Sequence, residues 1–574
     1  MYCRVLGIDF DGTGATSGEL APEVADALRA ARAAGYTTLL ATGRVLEELR
    51  VGGLDFSVFD AVVAENGAVV WLPSPDRTIF LGAPPPGHFL SRLRTAGVPF
   101  HVGSVVIGTW ERYAEQALAL VRETGAELQI VFNRGAVMLL PTGLNKATGV
   151  RRALDELGRS ARNLIAFGDA ENDLPLFSLA EVAVAARGAM PAVAAMADDQ
   201  LSRPGADGVA HYISTLLAAG GVVTTPPRRQ IVLGETPDGQ PAALPASGGN
   251  VLVVGDPRSG KSWLAGLVAE RLIEEGYRLC VLDPEGDYPA LAQRPGVLLL
   301  GRSIALPAAD VLPEVLHASR GSLIVDLAGL PQRQRCAYVC KAVAALARER
   351  PASGLPHWIL VDEAQYCFRE GEPCCEAIDL RSGNFVFVTY RPSSLAAAVH
   401  ASVDTHVITH TELEEERYFL NSLLRERGPT GAIPGDIIAE LRMPRAGLLV
   451  QTQDGPRWQT FLPTQRVSPS AHHAHKYADT RLPEDKAFWF RISGDGVANI
   501  AHSVREFYDA VNRVPIATLH RHLLAGDFSR WVRDVLGDPD FAAGLAKLEY
   551  TTSSTGIPPS RDEILAHVRD RYVV

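Results

Sequence analysis

Twice along the chain, short apolar runs that stop abruptly at Gly or Asp alternate with Ala- and Leu-rich stretches of helical period, first from residue 4 to about 220 and again from about 250 to 390. Apolar runs joined by crossover helices make parallel sheets, so the chain reads as α/β with two separate sheets. The length of 574 residues agrees, because single domains usually hold roughly 100–200 residues. Between the two series, Ala219-Gly220-Gly221-Val222-Val223-Thr224-Thr225-Pro226-Pro227-Arg228-Arg229 has turn chemistry and no period, which marks a boundary. Arg228 and Arg229 are expected there as solvated linker residues. Around 464–483 the chain turns polar, with His472, His473, His475 and Lys476, before a third unit that is mainly helical. The expected divisions are 1–222, 230–466 and 484–574. The two α/β series carry different motifs, so they are not a duplication.

The first series holds a chemical set at its strand ends. Val5-Leu6-Gly7-Ile8-Asp9-Phe10-Asp11-Gly12-Thr13 is an apolar strand that ends in two carboxylates and a Gly turn. Open parallel sheets bind ligands at this edge. One carboxylate can attack phosphorus while the other passes a proton to the leaving oxygen. A run over 37–41 leads into Thr42-Gly43-Arg44, a hydroxyl and backbone amides suited to a phosphoryl oxygen. Lys146, in Gly143-Leu144-Asn145-Lys146, offers a compact cation for the phosphate and the nucleophile. Residues 164–167 run into Gly168-Asp169-Ala170-Glu171-Asn172-Asp173, whose acids together with Asp9 make an oxygen-rich site for Mg²⁺.

These residues resemble the haloacid dehalogenase superfamily of phosphatases, in its Cof-type (IIB-like) branch, over about 1–220. The resemblance implies a Rossmann-like parallel sheet with a small α/β cap at about 81–141. It implies Asp9 as the nucleophile, Asp11 as general acid/base, Thr42 and Lys146 as phosphate holders, and Asp169 with Asp173 on the Mg²⁺ side. There the backbone carbonyl of Asp11 completes the set. Glu65-Asn66-Gly67-Ala68 is similar to that branch's turn after its third strand. A cap of this position chooses the substrate, which is expected to be a small phosphorylated molecule.

The second series holds another set. Val251-Leu252-Val253-Val254 runs into Gly255-Asp256-Pro257-Arg258-Ser259-Gly260-Lys261-Ser262, followed by Leu264, Leu267, Val268 and Leu272 at helical spacing. This is a P-loop in strand-loop-helix context. Gly255 and Gly260 let backbone amides wrap phosphates, Lys261 reaches the β and γ oxygens of ATP, and Ser262 can ligate Mg²⁺. Trp358-Ile359-Leu360-Val361-Asp362-Glu363 supplies Asp362 for the metal shell and Glu363 to polarise water. Further strands are expected at 251–254, 279–283, 323–327, 358–362 and 385–389.

With Leu279-Cys280-Val281-Leu282-Asp283-Pro284-Glu285-Gly286-Asp287-Tyr288, Asp362-Glu363-Ala364-Gln365 and Thr389-Tyr390-Arg391-Pro392-Ser393, this half resembles the HerA and FtsK class of ATPases over about 230–455. The resemblance implies a RecA-like P-loop domain with Glu363 as catalytic base and Gln365 as γ-phosphate sensor. It implies Arg391 as a charge stabiliser acting across a subunit boundary, hence a homo-oligomer built through this half. The tail segments Lys476-Tyr477-Ala478, Phe488-Trp489-Phe490-Arg491 and His520-Arg521-His522-Leu523-Leu524-Ala525-Gly526-Asp527-Phe528-Ser529-Arg530-Trp531 resemble the C-terminal module of a bacterial fusion family with this order of domains. Its chemistry is unknown, and Leu519, His522, Leu523, Phe528 and Trp531 are expected to pack a helical core.

Composition limits the partners. Hydrophobic residues at 47% and charged residues at 21% exclude a disordered chain or a rod. A net charge of -11 gives no general attraction for nucleic acid or acidic membranes. No apolar run approaches the roughly 18 residues a membrane span needs. Seven Cys and no signal-peptide pattern point to the cytoplasm and to free thiols rather than a disulfide framework. Cys336, Cys340, Cys367, Cys374 and Cys375 lack paired CxxC spacing, so zinc is not expected.

The leading function is an Mg²⁺-dependent phosphomonoester phosphatase working through an aspartyl-phosphate and joined to an ATP-binding and hydrolysing module. A second reading is nucleic-acid end processing or translocation; against it stand the acidic balance and the twenty or so residues, 230–249, where DNA pumps of this class carry a barrel or membrane region. A third is a nucleotide-sensing scaffold.

Overall fold

The computed structural model describes the chain except for residues 1, 17, 225, 258, 303, 377, 428–437, 439–440, 442–446, 453–456, 469–481, 483, 492–495, 537–538, 557 and 572–574. It separates into two compact units: Met1–Leu282 with Leu291–Val325 and Leu330–Ser468, and Asp283–Ala290 with Asp326–Gly329 and Pro469–Val574.

The larger unit contains both expected sheets. The first has eight strands in the order Asp199–Gln200, Val182–Ala185, Leu164–Gly168, Val5–Asp9, Thr37–Ala41, Ala61–Ala64, Val69–Leu72, Arg77–Phe80. Pairing is parallel as far as Ala61–Ala64 and antiparallel beyond it. Val5–Asp9 is central and buried along its whole length. Alternation sends Leu6, Ile8, Leu40, Val62, Ile165 and Phe167 into one core and Val5, Leu39, Ala41, Val63, Leu164 and Ala166 into the other. Helices cover both faces, so the strands read as apolar runs without a polar side.

A small layer is inserted in this sheet's chain path. Its four antiparallel strands lie in the order Leu128–Asn133, Ala136–Pro141, Ile107–Trp110, His101–Val102. The helices Gly87–Thr95 and Ala114–Thr124 close it through Phe89, Leu93, Ala117 and Leu120, which meet Ile107 and Leu139. Glu65 ties it to the main sheet: its buried carboxylate accepts the N–H groups of Ser104, Val105 and Val106 at 2.9, 2.7 and 3.0 Å. A Cβ on Gly103 would come 2.7 Å from the same carboxylate, so the chain passes closer than any other residue allows.

The second sheet has eleven strands. Val403–Ile408, Asn250–Val254, Phe385–Thr389, Trp358–Val361 and Leu279–Asp283 lie side by side in parallel. Ser322–Asp326 and Val297–Leu300 follow. Five of these match the strands expected from sequence to within a residue or two. The other edge differs: Gly447–Gln451, Arg457–Pro463, Gln230–Glu235 and Pro241–Pro245 extend the sheet antiparallel. The segment before Asn250–Val254 is therefore a hairpin with Leu233 and Leu244 buried, where the sequence suggested only a short lead-in.

Two expectations are corrected in this unit. Arg228 and Arg229 are not solvated linker groups. Arg228 pairs with Asp198 at 2.7 Å, and Arg229 donates to the Ser178 carbonyl at 2.8 Å beside the fully buried Glu181. A buried carboxylate has to be matched by cations and donors, and Glu181 also accepts from Tyr277 Oη at 3.0 and 2.9 Å and from Ser247 Oγ at 2.9 Å. Cys340 and Cys374 are not free thiols but a disulfide. The long helix Gln332–Ser353 and the turn Pro373–Glu376 bring their Cα atoms to 4.9 Å, a meeting that spacing along the chain does not reveal.

In the smaller unit, Phe488–Arg491 and Val497–Ala501 form a hairpin beside the helices Val504–Arg513, Ile516–Ala525, Asp527–Trp531, Pro539–Thr555 and Arg561–Arg571. Leu519, Leu523, Phe528 and Trp531 lie in its core as expected. His522 is structural: one ring nitrogen meets Asp527 Oδ2 at 2.7 Å and the other accepts the Arg491 N–H at 3.0 Å. His472, His473, His475 and Lys476-Tyr477-Ala478 fall outside the described residues. Among the described residues no helix is long and apolar enough to cross a membrane.

Candidate active site

Val5–Asp9 and Leu164–Gly168 are neighbours in register and end at the same sheet edge, which places the loops carrying Asp9 and Asp169 together. Lys146 begins the helix Lys146–Glu156, whose N-terminus is fixed by a reciprocal cap between Asn145 and Thr148. Its ammonium donates to Asp9 Oδ1 at 2.5 Å and to Asp173 Oδ1 at 2.6 Å. The other oxygen of Asp173 accepts the N–H groups of Asp169 and Ala170 at 2.9 and 3.1 Å, closing the acidic loop on itself. Asp9, Asp169 and Asp173 are all buried, and one oxygen of each lies within 4.8 Å of the others.

Burial and the neighbouring Asp173 hold the Asp9 carboxyl well above the usual carboxylate range, against the pull of Lys146. Burial also raises the pKa of Asp169, with Arg134 opposing and Asp173 adding to the rise. For Lys146, burial works against the charge, but the two carboxylates outweigh it and its pKa rises. Three buried carboxyls thus share little cationic compensation. An oxygen-only set of this kind fits a hard divalent ion such as Mg²⁺. The backbone also passes close against this set: Gly12, at φ +80°, lies so near that a Cβ there would come 2.4 Å from Asp169 Oδ2, so only glycine fits this position. Asp9, Asp169 and Asp173 are the residues that would hold the ion.

Not every residue singled out in sequence joins this group. The Asp11 carboxylate is half exposed and gripped at both oxygens by Arg44, at 2.9 and 2.6 Å. Thr42 is buried at the end of the adjacent strand, where its hydroxyl accepts the Arg44 N–H at 3.1 Å. Thr13 donates to Asp169 Oδ1 at 3.3 Å, and Arg134 pairs with Asp169 Oδ2. Neither contact is foreshadowed locally. The turn at Arg134-Gly135 gives only a generic hairpin signal, and only the folded insert carries it to Asp169.

The second sheet assembles the other set. Asn250–Val254 leads through a loop into the helix Lys261–Glu274, with Gly260 at φ +93° before it. A Cβ on Gly255 would come 1.7 Å from Thr409 Oγ1, so only glycine fits this approach. Lys261 Nζ donates to Glu363 Oε1 at 3.1 Å. Gln365 donates to Glu363 and accepts from Thr389 Oγ1 at 2.7 Å, and Thr389 in turn accepts the Arg391 N–H at 3.0 Å. Asp362 is buried and receives the Glu363 N–H at 2.9 Å; Ser262 is half-buried and Arg391 exposed. Lys261, Glu363, Gln365 and Thr389 thus form one connected polar chain.

A family model for haloacid dehalogenase-like hydrolases matches residues 108–213. A phosphoglycolate phosphatase of Halorubrum lacusprofundi is 30% identical over 224 residues, spanning 37% of this chain and 96% of the relative. One from Methanothermobacter thermautotrophicus is 28% identical over 218 residues, spanning 37% of this chain and 97% of the relative. A solved haloacid dehalogenase-like hydrolase from Bacteroides thetaiotaomicron aligns with a TM-score of 0.34 at 17% identity, over 37% of this chain and 99% of that one. Through the sheet that carries Asp9, the chain belongs to the haloacid dehalogenase-like hydrolase family.

Proposed function

We propose that residues 1–222 are an Mg²⁺-dependent phosphomonoester phosphatase with a small phosphorylated substrate, phosphoglycolate being the first candidate from the relatives' activity. The observation that carries this reading is the buried Asp9 carboxylate held 2.5 Å from Lys146 beside Asp169 and Asp173. Asp9 attacks phosphorus, the bond to the ester oxygen breaks, and an aspartyl-phosphate forms. Asp11, released from Arg44, gives its proton to the departing oxygen and then takes one from the water that hydrolyses the acyl-phosphate. Thr42 and Lys146 hold the phosphoryl oxygens. A bound Mg²⁺ supplies positive charge that favours the carboxylate form of Asp9 and offsets charge on the phosphoryl group. Asp9→Asn should abolish phosphate release from 2-phosphoglycolate and simple aryl phosphates; retained turnover would defeat the assignment.

For residues 230–466 the reading is an ATP-binding and hydrolysing domain, supported by Lys261 at a helix N-terminus and its link to Glu363. Gly255, Gly260, Lys261 and Ser262 would cradle the phosphates, Asp362 and Ser262 the Mg²⁺, with Glu363 as base, Gln365 as sensor and Arg391 as stabiliser. An incoming γ-phosphate would compete with Glu363 for the Lys261 ammonium. Lys261→Ala should remove ATP binding and leave ester hydrolysis intact. Residues 484–574 form the third domain in this division, without an assigned chemistry.

A further inference from the structure

The inserted layer brings one cation of its own to the acidic site. Arg134 and Gly135 form the two-residue turn between Leu128–Asn133 and Ala136–Pro141, with φ of +44° and +83°. Two successive left-handed residues make the tight hairpin turn that matches strand twist. The turn is anchored as well, because the Gly135 carbonyl accepts the Glu111 N–H at 3.0 Å. The same hairpin overhangs the loop after Thr42: a Cβ placed on Gly43 would lie 3.2 Å from Met138 Sδ and 3.6 Å from Asn133 Nδ2. Arg134 is therefore presented to the site by a short, fixed arm.

Two cations pair with the cluster and a third stands beside it, and they differ in what they hold. Lys146 sits between Asp9 and Asp173, and Arg44 is committed to Asp11. Arg134 pairs with Asp169, an acid that would belong to the metal. Its side chain is 48% exposed, whereas Asp169 is fully buried. Metal binding would engage that carboxylate and leave this half-exposed guanidinium, already paired with a carboxylate, available to another one.

Resting on the phosphatase reading above, we propose that Arg134 is the specificity-determining residue of the insert, binding a carboxylate carried a few bonds from the ester oxygen. The substrate class is then a short phosphorylated hydroxy acid rather than a neutral phosphate ester. The planar fork of Arg matches a carboxylate with two parallel hydrogen bonds, which a lysine cannot reproduce. Arg134 plays no part in bond making, so its removal acts on binding of one kind of leaving group.

The test uses the full chain with Mg²⁺ and three esters: 2-phosphoglycolate, ethyl phosphate, and the bisphosphate of ethylene glycol. Arg134→Ala should raise KM for 2-phosphoglycolate about ten- to a hundredfold, the effect of losing one charge-assisted pair. KM for ethyl phosphate and kcat for both should stay within about threefold, and Arg134→Lys should restore part of the loss. Mg²⁺ affinity of Arg134→Ala, read by calorimetry, should be equal to or tighter than wild type. Equal losses on 2-phosphoglycolate and ethyl phosphate, or weaker Mg²⁺ binding, overturn the proposal in favour of a structural role. A loss larger for the bisphosphate than for 2-phosphoglycolate overturns the carboxylate assignment. Wild-type protein that hydrolyses ethyl phosphate but shows no preference for 2-phosphoglycolate overturns this proposal alone; wild type that hydrolyses none of the three overturns the phosphatase reading and this proposal with it.

Discussion

Replacing Lys146 by Met keeps the volume of the side chain and removes its charge from a site with almost no access to water. The ammonium is 1% exposed and lies 2.5 Å from Asp9 and 2.6 Å from Asp173. Breaking a buried pair by deleting one partner costs about 3–5 kcal/mol, because the surviving charge is left in a poor solvent. Here two carboxylates survive, and burial already pushes Asp9 upward; uptake of a proton by one of them limits the loss to about that range. Mg²⁺ supplies the missing charge, and at a hundredfold excess over its dissociation constant it returns about 2.7 kcal/mol. Hydrogen exchange, read peptide by peptide over Val5–Asp9 and Leu164–Gly168, measures this locally. The expected result is faster exchange in Lys146→Met without metal and a larger protection by Mg²⁺ than in wild type. Phosphate release should fall about 10²–10³-fold, as when a group stabilising transition-state charge is removed. Wild-type exchange in the variant, with and without Mg²⁺, would refute the claim that Lys146 compensates the acidic cluster.

Two further outcomes follow from the titrating groups. Protons compete with Mg²⁺ for Asp9 and Asp169, whose carboxyls are both held above their ordinary values mainly by burial. Mg²⁺ affinity should therefore drop on acidification at a pH above the usual carboxylate range, with proton release on binding in calorimetry; affinity flat with pH contradicts this. His357 is buried and its pKa is pushed well down by burial and by Arg278. One ring nitrogen accepts the Arg278 N–H at 2.7 Å and the other meets Asn163, so only the neutral ring fits. Since the unfolded chain binds the proton first, stability should be full above a pH of about 6.5 and fall below it by up to about 1.4 kcal/mol per pH unit. Thermal unfolding of His357→Gln should lack that slope.

Strand ends were the most legible part of the sequence. Asp9, Lys146, Asp169 and Asp173 each stand where an apolar run or a helix meets a turn; parallel pairing of neighbouring runs brings Asp9 and Asp169 together, and the helix beginning at Lys146 brings its ammonium to Asp9, 137 residues away in sequence, and to Asp173. The strand, turn and helix at Asn250–Val254 and Lys261–Glu274 were legible for the same reason, since they are contiguous in the chain. What lay hidden depends on contacts that no local pattern encodes. Asp11 shares the strand-end motif, yet Arg44 from the next loop turns it outward. Arg134 comes to Asp169 on a folded hairpin, Cys340 meets Cys374 through a helix and a distant turn, and the Gln230–Glu235 strand finds its partner at Arg457–Pro463. Arg228 and Arg229 looked like linker because the acids they pair with, Asp198 and the buried Glu181, lie some 30 to 48 residues earlier in the chain.

In the proposed mechanism Asp9 carries the phosphoryl group. Acid-quenching the full chain during turnover of ³²P-labelled substrate with Mg²⁺, followed by peptide mass spectrometry, reads the acyl-phosphate directly. Label is expected on the peptide containing Asp9, sensitive to hydroxylamine and absent from Asp9→Asn. Continued phosphate release with no label there, or with label on another residue, would contradict it.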